Sequence, residues 1–229
     1  MCTVSYIHAN GKSIITSNRD EKVIRESAIA PKNYLINNKN IIFPKDQKAG
    51  GTWIAQTENK IVVLLNGAQE KHIKKSFYRK SRGLIVLEIA SSKNSLEHWK
   101  TIDLTNIEPF TIVLFENNKL LQLQWNEIKK SQEELAISEH YIWSSSTLYS
   151  KEIRIERAKW FANFMHKNTN PTAQDILDFH QFTESKNEEF GLQINRNNLL
   201  KTISITQCCV SENKIQMSYL DLMESYDQV

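Results

Sequence analysis

The first strongly patterned segment runs from Thr3 to Ser17, where two β-rich stretches, TVSYIH and SIITS, flank an Asn10-Gly11 pair. Asn-Gly favours the tight turns that join antiparallel strands, because both residues readily adopt a positive φ. The pattern therefore predicts a β-hairpin at the amino end of the chain.

Two further apolar stretches, Thr52–Thr57 (TWIAQT) and Lys60–Asn66 (KIVVLLN), predict a second pair of strands. The segment between the two pairs is polar and contains Pro31 and Pro44, and proline cannot donate a hydrogen bond to a sheet. We therefore predict a long loop there, with one short strand near residues 41–43.

Helical periodicity appears in four places: Arg82–Ser91, Leu96–Thr101, Lys151–Lys167, and a segment that Pro171-Thr172 opens and that runs through Phe182. In the longest of these, the candidate core residues are Ile153, Ala158, Trp160, Phe161 and Phe164. The remaining predicted strands are Thr111–Phe115, Leu120–Trp125, His140–Trp143, Ile203–Val210 and Lys214–Leu220.

These elements follow the order strands, helices, strands, helices, strands. A doubly wound parallel sheet needs strands that alternate with helices, and this order lacks that alternation. We therefore predict an α+β fold with two antiparallel sheets and helices outside them. No repeat or boundary interrupts the chain, so a single domain over residues 1–229 is expected.

Composition and charge are typical of a globular protein, with 40% hydrophobic residues, 24% charged residues and a formal net charge of +3. This charge is too small to indicate nucleic acid binding. The one basic run, Lys71–Arg82 (KHIKKSFYRKSR), allows two interpretations: a surface for phosphates or an anionic substrate, or a solvated loop or helix face. We favour the solvated face and expect no nucleic acid partner.

The sequence gives no support for a membrane span, a signal peptide, a disulfide framework or a metal site. No apolar run reaches the roughly 18 residues that a membrane span requires, and the first residues do not resemble a signal peptide, so a cytoplasmic location is expected. Cys2, Cys208 and Cys209 do not form a disulfide framework; in a strand, the last two would point to opposite faces, one of them into the core. Neither CxxC nor HExxH occurs, so we predict no metal and no cofactor.

Cys2 follows the initiator methionine, and this position allows chemistry that other cysteines lack. A side chain this small permits removal of Met1, which would give Cys2 a free α-amine. The pKa of an α-amine is about 8, so its neutral form is available near pH 7 to accept the thiol proton. Cys2 would then supply both nucleophile and base, although many chains begin Met-Cys without such a role.

Asn18, Arg19, Asp20 and Glu21 end the second strand of the first hairpin, so pairing should bring them close to Cys2. On an extended strand, Asn18 and Asp20 point to one face and Arg19 to the other. Asp20 could then hold and orient the α-ammonium group. The alternative is a turn with a solvated Arg-Asp pair, and the local sequence does not decide between the two.

Asn66-Gly67 follows the strand IVVLL. A side-chain amide at a strand end, next to a glycine that permits close approach, could donate a hydrogen bond to a developing oxyanion. The same pair could simply form a turn, and local sequence alone favours the turn.

Taken together, MCTV, SNRDE, AGGTWIA and LLNGA resemble the NRDE family, also called the transport and Golgi organization protein family. The motif residues here are Cys2, Asn18–Glu21 and Gly50–Trp53, and Ser81-Arg82-Gly83 also looks familial. The resemblance is specific over roughly the first 90 residues and vague afterwards.

This resemblance implies a four-layer αββα sandwich of the N-terminal nucleophile hydrolase type, similar to penicillin V acylases and bile salt hydrolases. It further implies that Cys2 is the nucleophile, that its α-amine is the base, that Asp20 orients the amine and that Asn66 is an oxyanion donor. Arg19, which adjoins Asp20, is included among the candidate catalytic residues. The acylases carry their arginine further from the aspartate.

Ser145 departs from the family pattern, because many members have a Ser-Asn pair where this chain has Ser144-Ser145. Two functions remain open. One is hydrolysis of a linear amide C–N bond of a small substrate. The other is a non-catalytic module for haem or lipid binding, which the resemblance to eukaryotic members implies, with Cys2, His8 or His72 as a haem ligand. No haem motif supports the second function.

Overall fold

The computed structural model describes residues 3–212 and 214–223. In chain order, the elements are β1 (Thr3–Ala9), β2 (Lys12–Lys22), β3 (Ile29–Ile36), β4 (Lys39–Lys45), β5 (Ile54–Gln56), β6 (Lys60–Asn66), α1 (Arg82–Ser91), α2 (Ser95–Thr101), β7 (Phe110–Glu116), β8 (Lys119–Trp125), β9 (Lys130–Leu135), β10 (Tyr141–Ser144), α3 (Lys151–Lys167), α4 (Ala173–Phe182), β11 (Asn195–Arg196), β12 (Leu200–Ser211) and β13 (Lys214–Asp221).

The chain divides into two compact units. The first contains the described residues up to Arg25 and those from Ser138 onward, and the second contains Glu26–Ile137. Each unit consists of one antiparallel sheet and helices that pack on it. The predicted α+β class with two antiparallel sheets is therefore confirmed. A single domain over residues 1–229 stays a prediction.

The first unit has a six-stranded sheet with the order β10-β1-β2-β12-β11, and β13 pairs with β12. The predicted hairpin is present, since β1 pairs with β2 from Thr3–Asn18 to Ala9–Lys12. Asn10 and Gly11 adopt φ values of 53° and 69°, as a tight hairpin turn requires. Strand β12 pairs with the other edge of β2, so segments distant in sequence flank the Asn18–Glu21 stretch.

Helices α3 and α4 cover one face of this sheet. Phe161 of α3 and Phe179 of α4 pack with Ile7 and Ile14 of the hairpin in one apolar cluster. The capping box at the start of α4 is complete, because Thr172 and Asp175 each bond the other's backbone N–H. Phe161 is thus a core residue, as its spacing predicted.

One expectation for α3 differs from the structure. Ala158 is exposed, so its prediction as a core residue was wrong, and Arg157 is fully buried instead. Ile153, Trp160 and Phe164 are partly buried. The core-facing stripe of α3 therefore includes a charged side chain, which periodicity of apolar residues cannot reveal.

The second unit has a seven-stranded antiparallel sheet in sequential order from β3 to β9. Helices α1 and α2 pack on it, and the rings of Trp99 of α2 and Phe110 of β7 are T-shaped to each other, with 6.0 Å between their centroids. The short strand predicted near residues 41–43 is confirmed as part of β4, but the long loop predicted around Pro31 and Pro44 was wrong, because these residues lie in β3 and β4, which form a hairpin. Pro31 is tolerated because β3 is an edge strand with a register shift at that point.

Two of the familial motifs meet in the second unit. A Cβ atom added to Gly51 would lie 2.4 Å from the carbonyl carbon of Gly83, and the N–H of Thr52 donates to the Gly83 carbonyl at 3.2 Å. Only glycine permits this approach of two backbones. Gly51 of AGGTW and Gly83 of SRG are therefore explained by one contact at the start of α1.

In the described parts of the chain, no helix is both long enough and apolar enough to cross a membrane.

Candidate active site

The candidate site lies at the end of β2 in the first unit. Asn18, Arg19 and Asp20 are all buried, with exposed fractions of 0%, 2% and 5%. Cys2, the predicted nucleophile, lies outside the described residues. Thr3, the next residue, pairs with Asn18 on one side and with Ser144 on the other, so the start of β1 is held between two strands.

Asp20 accepts hydrogen bonds from two hydroxyl groups. The Tyr149 hydroxyl donates to its Oδ2 at 2.7 Å, and the Thr202 hydroxyl donates to its Oδ1 at 2.6 Å. Thr202 also accepts a hydrogen bond from the backbone N–H of Ile194 at 2.9 Å, which fixes the orientation of its side chain. Charge-assisted bonds of this kind hold a buried carboxylate in one position.

A register shift in β12 makes the Thr202 contact possible. Thr202 pairs with Asp20 and Ser204 pairs with Arg19, so Ile203 is an extra residue opposite β2. Such a bulge re-aims the side chains beside it. Sequence reasoning missed Thr202, because a strand pattern gives neither the register nor the position of a bulge.

Arg19 and Asp20 point to opposite faces of the sheet, as the alternation of a strand predicts. Asp20 faces the side on which α3 and α4 pack, since its partner Tyr149 lies immediately before Ser150, the N-cap residue of α3. Arg19 faces the other side and is almost completely buried there. The interpretation of Arg19 and Asp20 as a solvated pair is therefore wrong.

Arg157 of α3 is fully buried and connects several parts of the site. Its guanidinium group donates to the Thr3 hydroxyl at 2.5 Å, to the Phe190 carbonyl at 3.1 Å and to the Gly191 carbonyl. Its guanidinium carbon also lies 3.6 Å from the centre of the Tyr149 ring, which is a cation–π contact. Arg157 therefore holds the residue after Cys2 and the ring whose hydroxyl bonds Asp20.

His180 of α4 is part of a second buried network on the same face. The side-chain amide nitrogen of Asn18 donates to the carbonyls of His180 and Leu192 at 3.1 and 2.7 Å, so Oδ1 of Asn18 faces His180 Nδ1 at 2.6 Å. Since that oxygen only accepts, Nδ1 carries the proton, and Nε2 accepts from the Ser5 hydroxyl at 2.7 Å.

The ring of His180 is neutral. Burial lowers its pKa to about 3, with a smaller contribution from the positive charge of Arg157. A neutral imidazole that is bonded at both nitrogens fixes Asn18 and Ser5, so His180 connects α4 to both strands of the hairpin.

Asn66, the predicted oxyanion donor, lies at the end of β6 in the second unit, where it pairs with Phe110. Gly67 has a φ of 85°, its N–H donates to the Pro109 carbonyl at 3.0 Å, and its carbonyl accepts from Thr111 at 3.0 Å. The strand end that carries Asn66 is thus firmly bonded. Its role stays a prediction.

Ser145 directly follows β10 and is buried. Its hydroxyl lies 2.8 Å from the hydroxyl of Thr147, and its carbonyl accepts from the backbone N–H groups of Leu148 and Tyr149. The residue that departs from the family pattern therefore belongs to the turn that leads to Tyr149.

The other two cysteines occupy opposite faces of β12, as predicted. Cys208 is fully buried and Cys209 is half-buried against the apolar cluster of α3 and α4. Burial raises the pKa of both thiols, and nearby Lys12 only partly opposes this effect at Cys209. Both thiols are therefore poor nucleophiles.

The basic run forms a loop that ends at α1, and most of its charges are paired. Ion pairs join Lys75 to Glu127, Arg79 to Asp103, Lys80 to Glu88, and both His72 and Arg82 to Glu108. This pairing agrees with the interpretation as a solvated surface.

Comparisons with known proteins give a family and a structural neighbour. The protein-family model described as Transport and Golgi organisation 2 matches residues 1–219. A comparison with curated proteins finds no match. Among solved structures, a variant of the conjugated bile acid hydrolase from Clostridium perfringens is 12% identical, with a TM-score of 0.48, and the alignment covers 97% of this chain and 93% of that one.

Proposed function

The chain belongs to the Transport and Golgi organisation 2 family, and from its site residues we propose that it is an N-terminal cysteine amidohydrolase. The substrate would be a small molecule with a linear amide C–N bond. The observation that carries the proposal is the buried carboxylate of Asp20, which two hydroxyl groups hold beside the N-terminal strand.

In the proposed reaction, the α-amine of Cys2 takes the proton of its own thiol. The thiolate attacks the amide carbon, and the tetrahedral intermediate collapses when the ammonium group returns the proton to the leaving nitrogen. Water then attacks the thioester, its proton passes to the α-amine, and the carboxylic acid and free thiol are released. Asp20 orients the amine in both halves of the reaction.

The position of Asp20 supports this role. The proposal requires the amine of Cys2 to reach the carboxylate, and Thr3 pairs with Asn18, only two residues before Asp20. The exposed fraction of Asp20 is 5%, so water does not screen its charge strongly. Its two hydroxyl donors also prevent it from turning away from the strand end.

Two polar groups are proposed to stabilise the oxyanion. The Asn66 side-chain amide is the first, at a strand end whose backbone is fixed by bonds to Pro109 and Thr111. The Ser145 hydroxyl is the second, and it is a shorter donor than the asparagine of related proteins. Arg19, buried on the opposite face of β2 from Asp20, is proposed to contact the substrate.

Intact-mass measurement before and after mild iodoacetamide treatment tests the nucleophile. We expect the mature protein to lack Met1 and to gain a single adduct at Cys2, because burial raises the pKa of the other two thiols. Cys2→Ala should gain no adduct at the same reagent excess. Retained Met1, or equal labelling of Cys2→Ala, would overturn the assignment of Cys2.

A panel of N-acyl amino acids and other small amides tests turnover. We expect hydrolysis of at least one compound, with activity lost in Cys2→Ala. Asp20→Asn should lower kcat about 100-fold, the lower range for acid–base catalysis. Glu21→Gln is the matched control, because Glu21 is the next carboxylate along β2 and pairs with Arg25 at the surface. Full activity of Cys2→Ala would end the proposal.

The alternative, a haem- or lipid-binding module without turnover, stays a prediction. His72 pairs with Glu108 at 3.3 Å, and His8 Nδ1 lies 3.2 Å from the Ser13 hydroxyl. Both candidate histidines are therefore already bonded within the protein. A haem titration of the wild type and Cys2→Ala would distinguish this function from hydrolysis.

A further inference from the structure

Three exposed apolar side chains of the second unit belong to two neighbouring segments. Ile73 is 92% exposed and Phe77 is 67% exposed, both in the loop before α1, and Ile128 is 87% exposed in the turn between β8 and β9. The ion pair between Lys75 and Glu127, at 3.2 Å, joins the two segments. Single exposed apolar residues are common on protein surfaces, whereas a local group is informative.

Chain geometry keeps this group compact. Ile73 and Phe77 each lie two residues from Lys75, so their Cα atoms are within about 7 Å of the Lys75 Cα. Ile128 directly follows Glu127, the ion-pair partner of Lys75. The three exposed apolar residues therefore lie within one or two chain positions of one ion pair.

The loop is bonded on both sides of Phe77, so this exposure does not come from a frayed segment. The backbone N–H of Lys75 donates to the Tyr78 hydroxyl at 3.1 Å. Arg79 donates to the carbonyls of Asp103 and Thr105 at 2.7 and 3.2 Å, and its backbone N–H donates to Asn106. An ordered loop thus presents Ile73 and Phe77 to solvent.

Three lysines without an ion-pair partner among the described residues lie next to the apolar residues in sequence. Lys71, Lys74 and Lys129 are exposed, and within residues 3–212 and 214–223 none of them forms an ion pair. The other cations of the loop are neutralised by carboxylates. The local surplus of charge is therefore positive and lies within a few residues of Ile73 and Ile128.

We propose that this patch, consisting of Ile73, Phe77, Ile128, Lys71, Lys74 and Lys129, docks the protein on an anionic lipid surface. Side chains that stand almost free of their neighbours suit a fluid headgroup layer, into which they insert individually. The lysines match the negative charge of anionic headgroups. This proposal is independent of the proposed hydrolase function.

Vesicle flotation of the full chain tests the proposal. The probes are vesicles of phosphatidylcholine alone and of phosphatidylcholine mixed with phosphatidylserine. We expect binding to the mixed vesicles only, with an affinity that falls as salt is added. Lys71→Gln with Lys74→Gln should weaken binding roughly 25-fold, since each lysine near the surface contributes about fivefold. Ile73→Ser with Phe77→Ser should weaken it about tenfold or more.

Leu35→Ser is the matched control, because Leu35 is 70% exposed in β3 of the same unit and lies outside the patch. It should bind mixed vesicles as the wild type does, and the far-UV circular dichroism of every variant should match the wild type. Failure of the wild type to bind mixed vesicles would overturn the proposal, as would equal binding by the patch variants. A dimer in sedimentation velocity that Ile73→Ser with Phe77→Ser dissociates, without vesicle binding, would assign the patch to self-association instead.

Discussion

The hydroxyl of Tyr149 donates a 2.7 Å hydrogen bond to Oδ2 of Asp20, across 129 positions of sequence. The ring of the same tyrosine lies 3.6 Å under the guanidinium carbon of Arg157. One side chain thus connects a buried cation to a buried carboxylate without a direct ion pair between them. The orientation of Asp20 therefore depends on residues that no local motif contains.

Removal of the Tyr149 hydroxyl should weaken the fold without disturbing its packing. Tyr149→Phe keeps the ring beneath Arg157 and loses one hydrogen bond to a charged group, which contributes about 1.5–3 kcal/mol. Urea unfolding should show a loss of this size. Tyr34→Phe is the control, since the Tyr34 ring stacks on Phe43 and its loss should be under about 0.5 kcal/mol. Equal effects of both changes would contradict the assigned role.

Replacement of Arg157 should be among the most damaging changes in α3. Arg157→Met leaves the Thr3 hydroxyl and the carbonyls of Phe190 and Gly191 without their donor, and the summed cost should be about 3 kcal/mol or more. Chemical denaturation measures this loss. Lys159→Met, two residues later, removes only an exposed pair with Glu156 and should change stability by less than about 0.5 kcal/mol. A small effect of Arg157→Met would show that its bonds are dispensable.

His180 should make the protein less stable in acid. Its pKa in the folded state, about 3, is below that of an unfolded histidine, so the unfolded chain binds a proton that the folded chain excludes. Stability from this group is complete above about pH 6.5 and should fall by about 1.4 kcal/mol per pH unit below it, until the folded pKa is reached.

Urea midpoints measured at several pH values test this slope. His180→Gln removes the titrating group. The slope of its unfolding free energy against pH should therefore be smaller than that of the wild type, by the contribution of about one bound proton. Burial also lowers the pKa values of His98 and His140, which contribute to both proteins alike. Parallel curves for the two proteins would contradict the prediction.

The approach of Gly51 to Gly83 should not tolerate a side chain. A methyl group on Gly51 would lie 2.4 Å from a backbone carbon, so Gly51→Ala must displace the start of α1 and should cost about 3 kcal/mol. Gly11→Asn is the control, because Gly11 has a positive φ with open space around it and asparagine accepts that conformation. Thermal unfolding distinguishes the two; a stable Gly51→Ala protein would rule out the tight contact.

Local signals were enough to predict most of the strands. Asn10-Gly11 identified the first hairpin because its turn depends only on two adjacent residues. The short strand predicted near residues 41–43 is part of β4, but β3 and its pairing with β4 were missed, because β3 is an exposed edge strand and Pro31 and Pro44 suggested a loop. Short β9 and β11 were missed as well, since β9 is mostly polar and β11 has two residues.

The site could be predicted only in part. The sequence located Asn18, Arg19 and Asp20 at a strand end, and alternation gave the faces to which they point. Tyr149 and Thr202 could not be found, because they lie 129 and 182 positions from Asp20 and only the strand pairing brings them there. Arg157 was missed for another reason: a charged residue in an amphipathic helix is expected at the surface.

The division of the first unit between both ends of the sequence has a consequence for how the protein is made. When the first hairpin leaves the ribosome, Tyr149 and Thr202 have not been synthesised, and Glu26–Ile137 must emerge before them. The hydrogen-bond partners of Asp20 are therefore available only after nearly the whole chain has been synthesised. Closing the long loop between Asp20 and Thr202 is slow. A nascent chain that stalls before Thr202 would have a complete second unit and an unfinished first one.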